Sequence, residues 1–194
     1  MIILNKNDNK KRKPGKGDYG YVRYKKKSQI ILTIVLFILS FAVLISAYFI
    51  SGKTKMNIGT VLAVVMVLPA CKALVGVILI FPHNTIQKRD YEKIKALDSK
   101  AIFIYDLVLT SDQKPMGVDC AAIGDDKVVM YSTWHKEENA YVQKYFQKVM
   151  ESYGFNANVT VTDDLKKFMR IADSIEETTK EAKDIKDTIL VFGF

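Results

Sequence analysis

Ile30–Ile50 (IILTIVLFILSFAVLISAYFI) runs for 21 residues without a charge, a proline or a glycine. Built as a helix rising 1.5 Å per residue, it reaches roughly 31 Å, enough to cross a hydrocarbon core of about 30 Å. Few other folds can use such a stretch. Tyr48 and Phe49 at its far end suit the membrane interface. A cleaved signal peptide fits less well, because the apolar core is too long and a second apolar segment comes after it.

That second segment is Ile58–Phe81 (IGTVLAVVMVLPACKALVGVILIF), broken only by Pro69 and Lys72. The connection Ser51–Asn57 is too short for anything but an antiparallel hairpin. Pro69 removes one helical hydrogen bond and should kink the helix. Lys72 falls near mid-membrane, where insertion of a charge costs about 2.5–3.5 kcal/mol. It reads as a side chain that snorkels or sits neutral, as the mark of a helix that breaks at Pro69 and is partly re-entrant, or as a partner, lipid or ion site, such as a contact to an acidic residue on another chain. Neither apolar segment contains an acid to pair with it.

Charge decides the orientation. Residues 1–28 carry ten basic side chains against Asp8 and Asp18, which accounts for the whole net charge of +8. Lys88, Arg89, Lys93, Lys95 and Lys100 come after the second segment, while the connecting loop has only Lys53 and Lys55. Positive flanks stay inside, so both chain ends are expected in the cytoplasm of a two-span cell-membrane protein. The tail is expected on anionic headgroups, gaining about 1 kcal/mol per basic residue near the surface. Residues 82–194 are net acidic, which argues against nucleic acid as a partner.

The expected organisation is a basic cytoplasmic tail (1–28), a transmembrane hairpin (29–82, helices about 30–50 and 58–81) and a cytoplasmic α+β domain (84–194). In the domain, Tyr91–Leu97 reads as a short helix. Ala101–Thr110, Gly117–Ile123 and Lys127–Thr133 read as strands, with Gly124-Asp125-Asp126 as a hairpin turn. Glu137–Tyr153 keeps helical spacing through Ala140, Tyr141, Tyr145, Val149 and Met150, and Gly154 is a suitable residue just past its end. Asn158–Thr162 is a fourth strand, with Asp163 or Asp164 capping the segment after it. From Leu165 a 3–4 rhythm gives one long amphipathic helix or two, and Ile189–Phe194 reads as a further strand or a loose end. The order is α-β-β-β-α-β-α.

Helix, three strands, helix, strand is the core order of the PD-(D/E)xK nuclease-like fold. Gly117–Thr133 (GVDCAAIGDDKVVMYST) resembles the nuclease-related branch of that family, in which an Asp on one strand is joined across a hairpin to a strand ending in (D/E)-x-K. Asp119 matches the first Asp. Tyr131-Ser132-Thr133 stands where the acid and the Lys belong, so the resemblance implies a degenerate site lacking half its Mg²⁺ ligands. Asp125-Asp126-Lys127 spells a D-x-K, but in the turn.

A second resemblance covers most of the chain. Lys16–Lys27 (KGDYGYVRYKKK), the two-helix hairpin and a strand near YDLVLTS are similar to a family of small bacterial membrane proteins often labelled "O-linked GlcNAc transferase-like". The resemblance implies membership and no activity: there is no D-x-D motif, no doubly wound fold and no helical repeat.

Other chemistry fits poorly. Cys120 and His135 suggest a Cys–His pair, but Asp119 and Cys120 are strand neighbours and point to opposite faces. Cys120 beside Ala121 and Ala122 behaves as a small hydrophobe, and Cys71 lies in an apolar run. Lys13-Pro14-Gly15-Lys16-Gly17 lacks the preceding strand of a phosphate loop. Trp134 reads as packing at the hairpin end, or as the wall of a pocket. No catalytic, cofactor-binding or metal-ligating residue is assigned. The expectation is a non-enzymatic binding or scaffold module held at the membrane, taking a protein partner, a small ligand or a second copy of itself. The alternative is a tethered nuclease-like or hydrolase domain with a degenerate site.

Overall fold

The computed structural model of the chain describes residues 13–50, 58–110, 115–134, 139–176 and 178–193. The tail before residue 13, the loop carrying Lys53 and Lys55, the turn 111–114 and His135 lie outside these residues.

Two long helices come first, α1 (Tyr21–Ile50) and α2 (Ile58–Ile80). Both are long and apolar enough to cross a membrane. They lie antiparallel along a seam of small side chains. Thr33 and Ser40 of α1 and Ala63, Ala70 and Gly76 of α2 are buried small side chains, and they let the two backbones approach closely. Ser40 Oγ donates to the Ala63 carbonyl at 3.1 Å. Pro69 is carried inside α2, and Lys72 is exposed.

α1 begins well before the uncharged stretch, and its first turn belongs to the soluble part. Val22 packs with Ile80 and Val108, and the Tyr19 and Tyr91 rings stack at 4.0 Å between centroids.

The rest is a four-stranded mixed sheet with helices. α3 (Lys88–Lys95) leads into β1 (Ile102–Thr110), β2 (Pro115–Ile123) and β3 (Lys127–Tyr131), an antiparallel meander. α4 (Asn139–Ser152) crosses over to β4 (Asn158–Thr162), which pairs parallel to β3, giving the order β1-β2-β3-β4. α5 (Leu165–Asp173) and α6 (Lys180–Val191) complete the chain. One face of the sheet packs on Phe146, Ala182, Ile185 and Ile189 of α4 and α6. The other packs on Ile94 of α3 and on Phe168 and Ala172 of α5.

Sequence signals explain the boundaries. Gly154 takes φ +80° just past α4, and the Phe155 N–H returns to the Met150 carbonyl, closing the last turn as a glycine there allows. Asp164 caps α5 by accepting from Lys166 N–H at 2.8 Å. The terminal rhythm is two helices, because Asp125 in the β2–β3 turn accepts the N–H groups of Thr179 and Ala182 and fixes a new helix start there. Ile189–Val191 is helical rather than a strand, with only Gly193 bridging to Leu109. The buried face of α4 is Val142, Phe146, Val149 and Met150, while Tyr141 and Tyr145 lie at its flank.

Both rims of the sheet are partly occupied. On β1, Tyr105 N–H donates to the Gly17 carbonyl at 2.8 Å and Thr110 N–H to the Phe192 carbonyl at 2.9 Å. On β4, Val159 and Val161 N–H groups donate to the Gln147 and Gln143 side-chain oxygens of α4, at 2.9 and 3.4 Å.

Candidate functional site

The site is built on an irregularity shared by two strands. In a regular strand alternate side chains share a face. On β1, Ile104 and then Leu107 and Leu109 face the same core. On β2, Met116 and Val118 and then Ala121 and Ile123 do so. The alternation therefore slips by one residue in each strand. The register pairs Tyr105 with Cys120 and Leu107 with Val118, and skips Asp106, which would stand opposite Asp119. Asp106 takes φ +52°, a left-handed conformation uncommon for any residue but glycine. Past the slip, Val108 turns to Val22 and Ile80, so the far half of this face meets the ends of α1 and α2.

Asp106 anchors three segments. Its Oδ2 accepts from Gly20 N–H at 2.7 Å and its Oδ1 from Ile86 N–H at 3.0 Å. The carboxylate thus ties the entry to α1 and the exit from α2 onto β1. Burial raises its pKa above the usual carboxylate value, the two N–H donors pull it back in part, and Asp119 adds to the rise.

Asp119 lies across the slip. Its Oδ2 accepts from both the backbone N–H and the hydroxyl of Thr133, each at 2.7 Å. Burial is the largest influence and raises its pKa against those bonds, and Asp90 raises it further. Asp90 comes from the first turn of α3, where a carboxylate suits the positive end of the helix. It is 8% exposed. Its Oδ1 is buried without a hydrogen-bond partner. The nearest cation is the exposed Arg89 guanidinium, whose Nε stands 3.7 Å away, beyond hydrogen-bond range.

The three carboxylates line one cavity of about 200 Å³. Among the described residues its wall contains no Lys or Arg; Tyr131, Trp134, Val22 and Val118 supply aromatic and apolar surface. His83, two residues past Phe81, packs against Trp134 with ring centroids 4.6 Å apart. Gly117 leaves room for that imidazole: a β-carbon there would lie 2.6 Å from His83 Nδ1. Tyr131 is buried beside this charge, and its hydroxyl is pushed up to about 12, by burial first and then by Asp90 and Asp119.

The residues singled out in the sequence are therefore dispersed. Asp119 and Trp134 line the cavity. Cys120 points to the opposite core beside Ala122 and Phe168, fully buried, with its thiol raised well above the ordinary value by burial. Asp125 is spent on the start of α6, and Lys127 pairs with Asp126 at 3.6 Å. Asp119 and the Asp125 turn are separated along β2 by roughly 20 Å at 3.3 Å per residue. Strand β3 closes at Tyr131, and Ser132 and Thr133 come just past its end. Asp90, Asp106, His83 and Tyr131 did not stand out in the sequence. The one available signal was Asp106, a lone acid inside the apolar strand IFIYDLVLT.

Among the described residues, no group of three or more His, Cys, Asp and Glu side chains is arranged to hold a metal ion. No protein-family model, curated protein or solved structure matches the chain.

Proposed function

We propose that this chain is a two-span integral membrane protein that holds a non-enzymatic binding module at the cytoplasmic surface, with the cavity of Asp90, Asp106 and Asp119 as the ligand site. The spanning assignment is supported by exposure. The most apolar windows of α1 and α2 are only 11% and 22% buried, whereas the core helix of a soluble protein would be largely covered. Ile31, Ile38, Phe41, Val61 and Leu68 are all more than half exposed, and an apolar surface of that kind suits lipid. Both ends are cytoplasmic by the basic bias, and Arg23, Lys25, Lys26 and Lys27 on the first turns of α1 rest among anionic headgroups.

The observation that carries the binding reading is the cavity itself, where Asp90, Asp106 and Asp119 converge beside Tyr131 and Trp134. Concave sites with a few convergent polar groups and aromatic walls are where small ligands bind. The test uses the full-length protein in maltoside micelles. Trp134 is the only tryptophan of the chain, so its emission reports on the cavity. Saturable changes with a small ligand, abolished by Asp90→Ala and Asp119→Ala together, are expected. A cavity indifferent to all ligands would discard the reading.

A second reading is a tethered nuclease-like domain with a degenerate site. The antiparallel meander leading to a parallel fourth strand, with Asp119 and the helix residue Asp90 on one cavity, favours it. The absence of an acid and a lysine at Ser132 and Thr133 weighs against it. Mg²⁺- or Mn²⁺-dependent cleavage of plasmid DNA, lost in Asp119→Ala, would establish this alternative. No cleavage under either metal would end it.

A further inference from the structure

The two long helices hold one register, and it relocates Lys72. Ser40 of α1 donates to the Ala63 carbonyl of α2 at 3.1 Å. Val22, eighteen residues before Ser40, packs on Ile80, seventeen residues after Ala63. Counting back eight residues from Ile80 gives Lys72, and the same count forward from Val22 gives Ile30. That count does not cross Pro69. Taken from the other contact, Lys72 is nine residues past Ala63 and falls opposite Ile31. Lys26 agrees, since one turn beyond Val22 its Nζ reaches back to the Phe81 carbonyl.

Ile30 is where the uncharged run of α1 begins, directly after Lys25-Lys26-Lys27-Ser28-Gln29. Lys72 therefore stands level with the end of the basic stretch. Its position within the α2 segment alone places it at the middle of the bilayer; the partner helix places it at the edge.

On the reading that the hairpin spans a bilayer, we propose that Lys72 is a lipid anchor: with Lys27 of α1 it forms a two-helix cationic belt that holds the phosphates of anionic phospholipids in the cytoplasmic leaflet. Both side chains are exposed, whereas Lys26 is engaged by the Phe81 carbonyl. Lys27 lies three residues from Ile30, about 4.5 Å at 1.5 Å per residue. The headgroup layer on each side is about 5–7 Å thick, so both ammonium groups reach into the same layer. A lysine at that depth lays its stem along apolar surface and keeps its head in the interface. Neither apolar segment offers a carboxylate to Lys72. The cytoplasmic leaflet supplies anions at this level, and basic side chains near its surface are drawn to them.

The chain carries its own depth probe. Cys71, next to Lys72, is exposed, and the other cysteine, Cys120, is fully buried. The experiment labels Cys71 of the full-length protein with a nitroxide, in liposomes of phosphatidylcholine and phosphatidylglycerol. Collision with a water-soluble nickel complex is then compared with collision with oxygen. The label should meet the nickel complex and lie nearer the headgroup boundary than the midplane, which is about 15 Å deeper. A label at Ile38→Cys in a Cys71→Ser chain should meet oxygen instead. The second arm uses spin-labelled lipids. Phosphatidylglycerol should be preferred over phosphatidylcholine, Lys72→Gln should lower that preference at least twofold, and Lys72→Arg should keep it.

A Cys71 label at midplane depth overturns the assignment even if no Lys72 variant folds. A lipid preference unchanged by Lys72→Gln overturns it as well, and leaves an acidic group on another chain as the occupant. Nickel access at Ile38 equal to that at Cys71 overturns the spanning reading itself, and the anchor falls with it.

Discussion

Lys26 of α1 closes the end of α2 at Phe81: its Nζ donates to the Phe81 carbonyl at 2.6 Å and stands 5.1 Å from the centroid of the Phe81 ring. The last carbonyls of a helix have no partner within it, and a cation there also meets the negative end of the helix dipole. One side chain thus locks the two long helices together where they enter the soluble domain. Lys26→Met keeps the length and removes the donor. It should lower the stability of the solubilised protein by roughly 0.5–1 kcal/mol, since the contact is partly solvated. A thermal melt monitored by circular dichroism checks this. An unchanged Tm would show that the helices are held by their small-residue seam alone.

Asp106→Asn should be costlier. The amide keeps one acceptor oxygen where the carboxylate uses two, so either Gly20 or Ile86 loses its buried partner. A loss of about 1–3 kcal/mol is expected. Limited proteolysis between residues 82 and 88 should accelerate, because Ile86 is the residue the carboxylate holds. Protection equal to the parent protein would mean the segment is fixed by Ile86 packing and not by this bond.

Gly117→Ala places a methyl 2.6 Å from His83 Nδ1. The imidazole cannot easily yield, being 3% exposed and packed on Trp134. Overpacking of this kind costs about 1–3 kcal/mol, and the emission maximum of Trp134 should shift to the red as its neighbour moves. An unshifted spectrum in a stable variant would show that the ring has room to turn.

Asp119 and Asp125 should tilt the pH dependence of stability in opposite directions. The Asp119 pKa is raised on folding, so the folded chain holds its proton to higher pH than the unfolded one. Its contribution to stability therefore falls as pH rises from about 4, the unfolded value, to its folded value. The Asp125 pKa is lowered, chiefly by the Thr179 N–H, so its contribution is complete above about pH 4 and is lost as pH falls through the folded value. Asp119→Asn should flatten the decline above pH 4, and Asp125→Asn the decline below it. Denaturant melts from pH 3 to 7 separate the two. Parallel shifts without a change of slope would contradict both.

The long helices were legible because length and absence of charge leave few alternatives, and the strands because β-branched runs are bounded by turn residues. Asp164 and Gly154 marked helix ends correctly, since caps are local. The site was harder. Asp90 lies in KRDYEKIK, which reads as a solvated charged face; only the docking of Ile94 turns that acid inward. Asp106 is found through its left-handed backbone and the shared slip of β1 and β2, a relation between strands that neither strand spells alone. Tyr131 and Trp134 look like packing because aromatic residues at a strand end usually are. Their second role depends on His83 arriving from the end of α2. Lys72, the one charge within the apolar part of α2, is exposed, so Lys72→Leu should leave the fold intact.

The contacts along the rims of the sheet have a consequence for how anything can attach to it. Gly17 and Phe192 each take one outward amide of β1, and Gln147 and Gln143 take those of Val159 and Val161 on β4. An extended peptide laid alongside either edge would first have to displace these groups. Strand addition, the simplest way for sheets to recruit a companion or to stack into fibres, is hindered on both sides.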